Sequence, residues 1–122
     1  MALEPHKFIQ NRADFFQSID RAIADTKRLR GTPPWAPLES ILRQLEAMKQ
    51  WTANGRTPTK DERRSIQIWR TVSRELEPAA NDELYDYTQL LTELTFYFKL
   101  WWDDAEWAAM DTKDPRIRFP DD

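Results

Sequence analysis

Three carboxylates close together near the C-terminal end of the chain are the first candidates for chemistry. Asp103, Asp104 and Glu106 could act as a general acid–base pair or as metal ligands. Both roles need carboxylates that face one cleft, whereas consecutive residues of a helix point about 100° apart. Glu106 follows Asp103 by three residues, which is the spacing of a helix-capping motif. The sequence therefore predicts a helix cap here, with no catalytic residue and no metal site.

Other residue types that carry catalysis or hold cofactors are scarce. The chain has no cysteine, two glycines and one histidine, His6, near its start. This composition excludes thiolate metal sites, cysteine nucleophiles, glycine-rich phosphate loops and histidine-based triads. We expect His6 to be solvated, no cofactor to be bound, and the protein not to be an enzyme.

Aromatic residues are the positive signal, since the 122 residues include six Trp, six Phe and three Tyr. On the fourth predicted helix, Tyr85, Phe96, Leu100 and Trp107 form a second apolar line, nearly opposite the stripe expected to face the core. Two interpretations remain open. Either this helix is buried on all sides, or the line is exposed as a partner-binding or homodimer surface.

Acidic side chains surround the same helix. Residues 1–74 carry 14 basic and 8 acidic side chains, a net charge of +6, whereas residues 75–122 carry 4 and 13, a net charge of −9. Packing of the first helix on the fourth would neutralise part of this difference, but an exposed acidic face would attract a basic partner. We therefore predict a contact surface that combines aromatic anchors with acidic residues: Asp82, Asp86, Phe96, Leu100, Asp103, Asp104, Glu106 and Trp107.

Apolar residues recur with helical periodicity along nearly all of the chain. The helices are predicted at about 11–30 (or from residue 4), 37–53, 59–76 (or from residue 57) and 81–108, the last with a break near Asp103 that would begin a short fifth helix. We expect an all-α fold, an antiparallel bundle of four main helices in one domain over residues 1–110, with an irregular tail over 111–122. The chain has no apolar run of about 18 residues and no secretory signal, so we expect no membrane contact and a cytoplasmic location.

The third predicted helix and the residues before it are basic. A basic helix that follows another helix resembles a helix-turn-helix reader of DNA, but the net charge of −3 is unlike that of most DNA-binding domains. A solvated face, or one paired with acids of the fourth helix, is the simpler interpretation, and no nucleic-acid partner is expected. The basic residues are Arg56, Lys60, Arg63, Arg64, Arg70 and Arg74.

The order of several short motifs is similar to that of a known family. Ile19-Asp20-Arg21-Ala22 leads into a proline-containing loop, and the next helix carries Leu42-Arg43-Gln44-Leu45-Glu46 and then Met48-Lys49. A polar break with Arg56, a third amphipathic helix and an acidic link at 75–82 follow. Over about residues 15–99 this order resembles the small helical immunity proteins that bacteria pair with type VI secretion toxins, in particular the immunity partner of the NAD(P)-glycohydrolase toxin.

The resemblance implies an immunity protein, which would bind a cognate toxin and block its active site. The toxin would act on a nucleotide, either as an NAD glycohydrolase or as an alarmone-type pyrophosphokinase. Carboxylates of the inhibitor would then enter a basic phosphate-binding cleft, while Trp and Phe side chains supply affinity. Two other functions remain open: a small helical adaptor or homodimer that uses the fourth helix, and a DNA-binding regulator that uses the third.

Overall fold

Six α-helices make up most of the residues that the computed structural model describes, which are 8–31, 35–76 and 82–108. No strand occurs in these ranges, so the predicted all-α class is confirmed. His6 and the predicted tail at 111–122 lie outside the described residues, and the domain bounds stay a prediction. The helices are α1 Arg12–Leu29, α2 Ala36–Trp51, α3 Lys60–Ser65, α4 Ile68–Glu75, α5 Asp82–Leu100 and α6 Asp104–Ala108, with a 3-10 turn at Ala53–Gly55.

Polar side chains and glycines set the helix ends. The side chain of Asn11 accepts the N–H of Asp14 at 2.9 Å, which fixes the start of α1 at Arg12 and not further upstream. Thr59 and Glu62 form a reciprocal capping box, with bonds of 3.1 and 2.8 Å, so α3 begins at Lys60. After α1, Gly31 has a φ of 79°, a left-handed conformation that glycine adopts without strain.

The third predicted helix is divided into α3 and α4, which corrects the sequence-based expectation. Ile66 leaves the helical conformation with a ψ of 126°, and the N–H of Gln67 donates to the side-chain oxygen of Gln44. Ile66 and Ile68 are both buried, at 2% and 0% exposure. Two residues that are two positions apart in a continuous helix point about 200° apart, so the break lets both isoleucines reach the core.

Helices α2 and α5 both run antiparallel to α1. Along α2, Lys49 near its end pairs with Asp20 at 2.7 Å, while Arg30 just after α1 pairs with Glu39 near the start of α2. Along α5, Thr26 and Tyr87 share a hydrogen bond of 2.6 Å at one end. At the other end, the rings of Phe15 and Tyr97 stack at 5.2 Å. The antiparallel packing predicted for the bundle is thus present in two pairs, α1 with α2 and α1 with α5.

Helix α5 is the centre of the molecule. Every residue from Tyr87 to Phe98 is buried, because α1, α3 and α4 pack on it and residues 8–10 cover a further face. Phe96 is 2% exposed, so the expectation of an exposed aromatic line along this helix is wrong at that position. Of the two interpretations left open by the sequence, burial on all sides describes this part of α5.

Helix α5 ends at Leu100, and a separate helix follows. Trp101 has a φ of 49°, a left-handed conformation that costs a residue with a side chain about 1–2 kcal/mol. The carboxylate of Asp103 then accepts the N–H of Glu106 at 2.7 Å, and Glu106 accepts the N–H of Asp103 at 3.4 Å. The predicted cap at Asp103 is therefore confirmed, and it begins the short helix α6.

Candidate interaction surface

Trp107 on α6 is an internal residue, contrary to the expectation that it is a surface anchor. It is 1% exposed, and its indole N–H donates to the carbonyl oxygen of Ile9 at 2.8 Å. Its ring lies 6.0 Å from that of Phe96 and 4.8 Å from that of Tyr97. With Phe96 and Trp107 both buried, the predicted aromatic seam is not available on the folded chain, either to a toxin or to a second copy.

Glu93 holds the N-terminal segment against α5. Its side chain is buried, and one carboxylate oxygen accepts the N–H groups of Phe8 and Ile9 at 2.9 and 3.2 Å. The other oxygen is 3.4 Å from the side-chain nitrogen of Gln89. Glu93 is not among the contact residues predicted from the sequence. An isolated acid within the apolar residues of a long helix was the available signal, because a buried charge needs hydrogen-bonding partners.

Arg12 on α1 contacts three residues at the carboxyl end of α5. Its guanidinium donates to the hydroxyl of Tyr97 at 2.6 Å and to the carbonyl of Trp102 at 2.7 Å, and it lies 3.9 Å from the ring centre of Trp101. Burial raises the pKa of Tyr97, although the hydrogen bond from Arg12 acts in the opposite direction. These contacts support the left-handed conformation of Trp101.

The predicted contact residues near α6 each take part in the local structure. Asp104 accepts the backbone N–H of Arg12 at 2.8 Å, and Leu100, which is half-buried, receives at its carbonyl a hydrogen bond from Arg63 at 3.4 Å. Asp103 and Glu106 cap α6, as described above. All three carboxylates are nevertheless exposed, so contact with a partner stays a prediction for them.

The predicted acidic residues lie at opposite ends of α5. Asp82 and Asp86 are exposed in its first two turns, whereas Asp103 and Asp104 follow its last turn. At about 1.5 Å per residue, the 19 residues of α5 span about 28 Å. The structure therefore does not bring the predicted set together into one surface.

The amino end of α5 is the more open of the two. Tyr85 is 40% exposed and lies between Asp82 and Asp86 in the sequence. Trp35, which precedes α2, is 43% exposed, and these two are the exposed large hydrophobic residues within the described part of the chain. We call Trp35, Asp82, Tyr85 and Asp86 the amino-end surface.

The last turn of α1 connects the two parts of this surface. Arg28 forms an ion pair with Glu83 on α5, and the backbone N–H of Trp35 donates to the carbonyl of Arg30 at 2.8 Å. Trp35 and Tyr85 therefore lie at the same end of the bundle, but on different sides: Glu83 and Tyr87 face α1, so Tyr85 between them points to the other side of α5. In the sequence, Trp35 stands in the proline-containing loop that follows the first helix, and an aromatic residue between prolines was the signal that it could be held at the surface.

Tyr87 is the first residue of α5 that is buried in the core. Its hydroxyl is hydrogen-bonded to Thr26 at 2.6 Å and the residue is 3% exposed. Burial raises the pKa of Tyr87 to about 12, because the charged phenolate would lose its hydration.

The described residues give little support to metal binding or to membrane insertion. No group of three or more His, Asp or Glu side chains that could hold a metal occurs among them. None of the helices placed by the structure is long and apolar enough to cross a membrane.

The basic residues considered for DNA binding are partly engaged within the chain. Arg56 forms two hydrogen bonds with Glu62, at 2.9 and 3.0 Å, and Arg63 contacts the end of α5. The exposed members of this basic set are Arg56, Lys60, Arg64, Arg70 and Arg74.

Comparison with known proteins yields a family match. A family model described as Tsi6 matches residues 15–99. No curated protein and no solved structure matches the chain. The matched range contains the whole amino-end surface, whereas the predicted contact residues from Leu100 to Trp107 lie beyond it.

Proposed function

Since the chain belongs to the Tsi6 family of type VI secretion immunity proteins, we propose that it binds a cognate toxin and blocks that toxin's active site. The observation that carries the proposal is the family match over residues 15–99, which is more than two thirds of the chain. In this role the protein is an inhibitor and catalyses no reaction of its own.

The helical scaffold suits such an inhibitor. Binding costs less free energy when the interacting groups are already ordered in the free protein. Helix α5 is surrounded by packed side chains over most of its length, and its first two turns are bound to α1 through Glu83 and Tyr87. Residues on these two turns are therefore held in place before a partner arrives.

The proposed toxin acts on a nucleotide, as an NAD glycohydrolase or an alarmone-type pyrophosphokinase. Nucleotides carry phosphates, and enzymes that bind phosphates present basic groups in their clefts. Exposed carboxylates such as Asp82 and Asp86 have the charge to enter a cleft of that kind. The site of action would be the cytoplasm, where the nucleotide pool is.

Co-expression with the toxin tests this function directly. The toxin domain encoded beside this chain's gene is produced in cells with and without the chain, and growth, NAD(P) and purine nucleotide pools are measured. We expect restored growth and preserved pools, together with a stable complex of the two purified proteins. Loss of NAD(P) in unprotected cells identifies a glycohydrolase, whereas loss of ATP with accumulation of alarmone identifies a pyrophosphokinase.

Two results would contradict the proposal. If the purified proteins form no complex at micromolar concentration, the chain is not the immunity protein of that toxin. If they form a complex in which the toxin keeps its full activity, binding occurs but the active site is not blocked.

A further inference from the structure

We propose that a basic groove between α2 and α4 binds an acidic region of the cognate toxin. This inference rests on the proposed function, and it names a docking surface and the chemistry of the partner that fits it. It assigns to the toxin a region rich in carboxylates, in addition to the basic cleft proposed for its active site. We call this surface the arginine groove, and its residues are Arg43, Gln44, Arg64, Gln67, Arg70 and Arg74.

The groove lies where the chain breaks between α3 and α4. The N–H of Gln67 donates to the side-chain oxygen of Gln44, which holds the link between α3 and α4 against α2. The opening beside this contact has a volume of about 350 Å³, and Ser40, Arg43 and Ser65 line it together with the two glutamines. None of the described residues that line it is acidic. The opening therefore presents a guanidinium, hydroxyls and amides, all of which can donate hydrogen bonds to carboxylates.

Three further arginines lie at the border of this opening. Arg70 and Arg74 follow Gln67 by three and seven residues, so they lie on the same side of α4 as Gln67, about 5 and 10 Å further along the helix. Arg64 directly precedes Ser65, which lines the opening, and the backbone carbonyl of Arg64 accepts the side-chain N–H of Gln67 at 3.4 Å. All three arginines are exposed, so their side chains are accessible to a partner that covers the opening.

The four arginines of the groove differ from the other arginines that the structure describes. Each of the others has a partner, which is an acid for Arg21, Arg28, Arg30 and Arg56 and an oxygen near the carboxyl end of α5 for Arg12 and Arg63. Within the described part of the chain, the guanidinium groups of the groove have no ion pair and no hydrogen bond. Like charges gathered without counter-charges repel one another, and an acidic partner would remove that cost.

The acids nearest in sequence to these arginines do not pair with them. Glu46 follows Arg43 by three residues but lines a separate groove, between α1 and α2. Glu75 is next to Arg74 at the end of α4 and points about 100° away from it. Asp61, in the first turn of α3, forms no ion pair with a described residue. The positive charge at the opening is therefore not neutralised by direct contact within the described part of the chain.

An acidic protein surface fits this groove better than a nucleic acid does. Tight binding of nucleic acid requires a basic excess, whereas the chain has a net charge of −3 and residues 75–122 carry −9. The amides and hydroxyls of the groove suit single carboxylates and peptide groups. The range 15–99 that matches the family includes the whole groove, as a surface used for the family's function requires.

Affinity measurements on charge-reversal variants test the inference. The probe is the purified toxin domain encoded beside this chain's gene, and its binding is measured by calorimetry and by association kinetics at about 50 and 300 mM salt. At the lower salt concentration we expect Arg43→Glu to weaken binding by about 10-fold, and the double change Arg70→Glu with Arg74→Glu by about 100-fold. Because salt screens exposed charges, both losses should be smaller at the higher concentration.

Conservative and matched changes serve as controls. Arg43→Lys keeps the positive charge and should bind within about 3-fold of the unchanged chain. Lys27→Glu makes the same change in net charge as Arg43→Glu, but at an exposed residue of α1 that lies beside the other groove of α2, and it should bind within about 2-fold. Circular dichroism and thermal unfolding establish that every variant is folded. A DNA duplex of about 20 base pairs is the second probe, and we expect no binding at physiological salt.

The outcomes separate this inference from the function on which it rests. If the unchanged chain binds and inhibits the toxin while the arginine reversals bind within about 2-fold of it, the groove is not the docking site and the immunity function stands. An equal loss from Lys27→Glu would also overturn the inference, because net charge and not the groove would then govern binding. If the reversals abolish binding to the DNA duplex and leave toxin binding unchanged, the groove is a nucleic-acid site. If the unchanged chain does not bind the toxin, the function fails, and the docking surface fails with it.

Discussion

The two ends of α5 carry the same kinds of residue and use them differently. At the carboxyl end, Trp107 and Phe96 are packed within the molecule and Asp103 caps the next helix. At the amino end, Tyr85 is exposed beside two carboxylates, and Trp35 is exposed at the same end of the bundle. The difference arises because residues 8–10 and α6 fold over the carboxyl end, whereas the described part of the amino end has α1 at its side.

An aromatic and acidic composition does not by itself make a binding surface. An indole N–H or a carboxylate can satisfy a backbone group of its own chain, as Trp107 does for Ile9 and Glu93 does for Phe8. Residues used in this way raise the stability of the monomer. The same types, left exposed on ordered helices, contribute to affinity for a partner.

The largest expected effect is that of Trp107→Ala. Removing a buried indole leaves a cavity and an unsatisfied carbonyl at Ile9, so the free energy of unfolding should fall by about 3–5 kcal/mol. Urea denaturation measures this change. Trp107→Phe keeps most of the ring contact with Phe96 and should cost about 1–2 kcal/mol. A loss below about 1 kcal/mol for the alanine variant would show that the carboxyl end is not sealed.

A pH-dependent loss of stability is expected from Tyr87, where the exposed turn of α5 enters the core. The pKa of Tyr87 is raised from 10.0 to about 12 in the folded protein, so folding favours the neutral hydroxyl. The stabilisation is complete below pH 10 and is lost as the pH rises from 10 to 12, by about 2–3 kcal/mol in all. Urea denaturation at several pH values should show a shallower decline for Tyr87→Phe; equal slopes would contradict the assignment.

Glu93→Gln tests how the N-terminal segment is held over the carboxyl half of α5. The neutral side chain accepts weaker hydrogen bonds from Phe8 and Ile9, and its NH₂ group faces that of Gln89. The free energy of unfolding should fall by about 1–3 kcal/mol. Exchanging both residues, Gln89→Glu with Glu93→Gln, restores a donor opposite an acceptor and should recover part of the loss. Equal stability of the single variant and the unchanged chain would contradict the role given to Glu93.

The smallest expected effect on stability comes from the amino-end surface. Trp35→Ala and Tyr85→Ala remove side chains that are 43% and 40% exposed, so each should lower the free energy of unfolding by about 1 kcal/mol or less. Thermal and urea unfolding measure this directly. A loss above about 1.5 kcal/mol for either variant would mean that its side chain supports the fold, and the contrast between the two ends would weaken.

Several local features of the fold could be predicted from the sequence. The cap at Asn11, the capping box of Thr59 and Glu62, and the cap at Asp103 depend on residues within one turn of each other, and all three are present. The division between α3 and α4 could not be predicted, because it follows from the burial of both Ile66 and Ile68. That burial depends on which helices lie on either side.

The candidate site shows the same limit. The sequence identified acidic and aromatic residues around α5, and Asp82 and Asp86 are exposed as a contact surface requires. It could not decide which face of the helix was covered, since Phe96 has the same chemistry whether a partner or the chain's own N-terminal segment packs on it. Trp35 and Tyr85 became candidates through their exposure, which depends on the packing of the other helices.

The helical class, most helix ends and the membership of an immunity family follow from periodicity, caps and motif order, which are encoded in residues close together along the chain. Which end of α5 meets solvent follows instead from how the helices and the N-terminal segment pack. That choice depends on contacts between distant residues, such as Glu93 with Phe8 and Trp107 with Ile9, more than 80 positions apart. A side chain's exposure is the result of everything packed around it, and no local pattern contains that information.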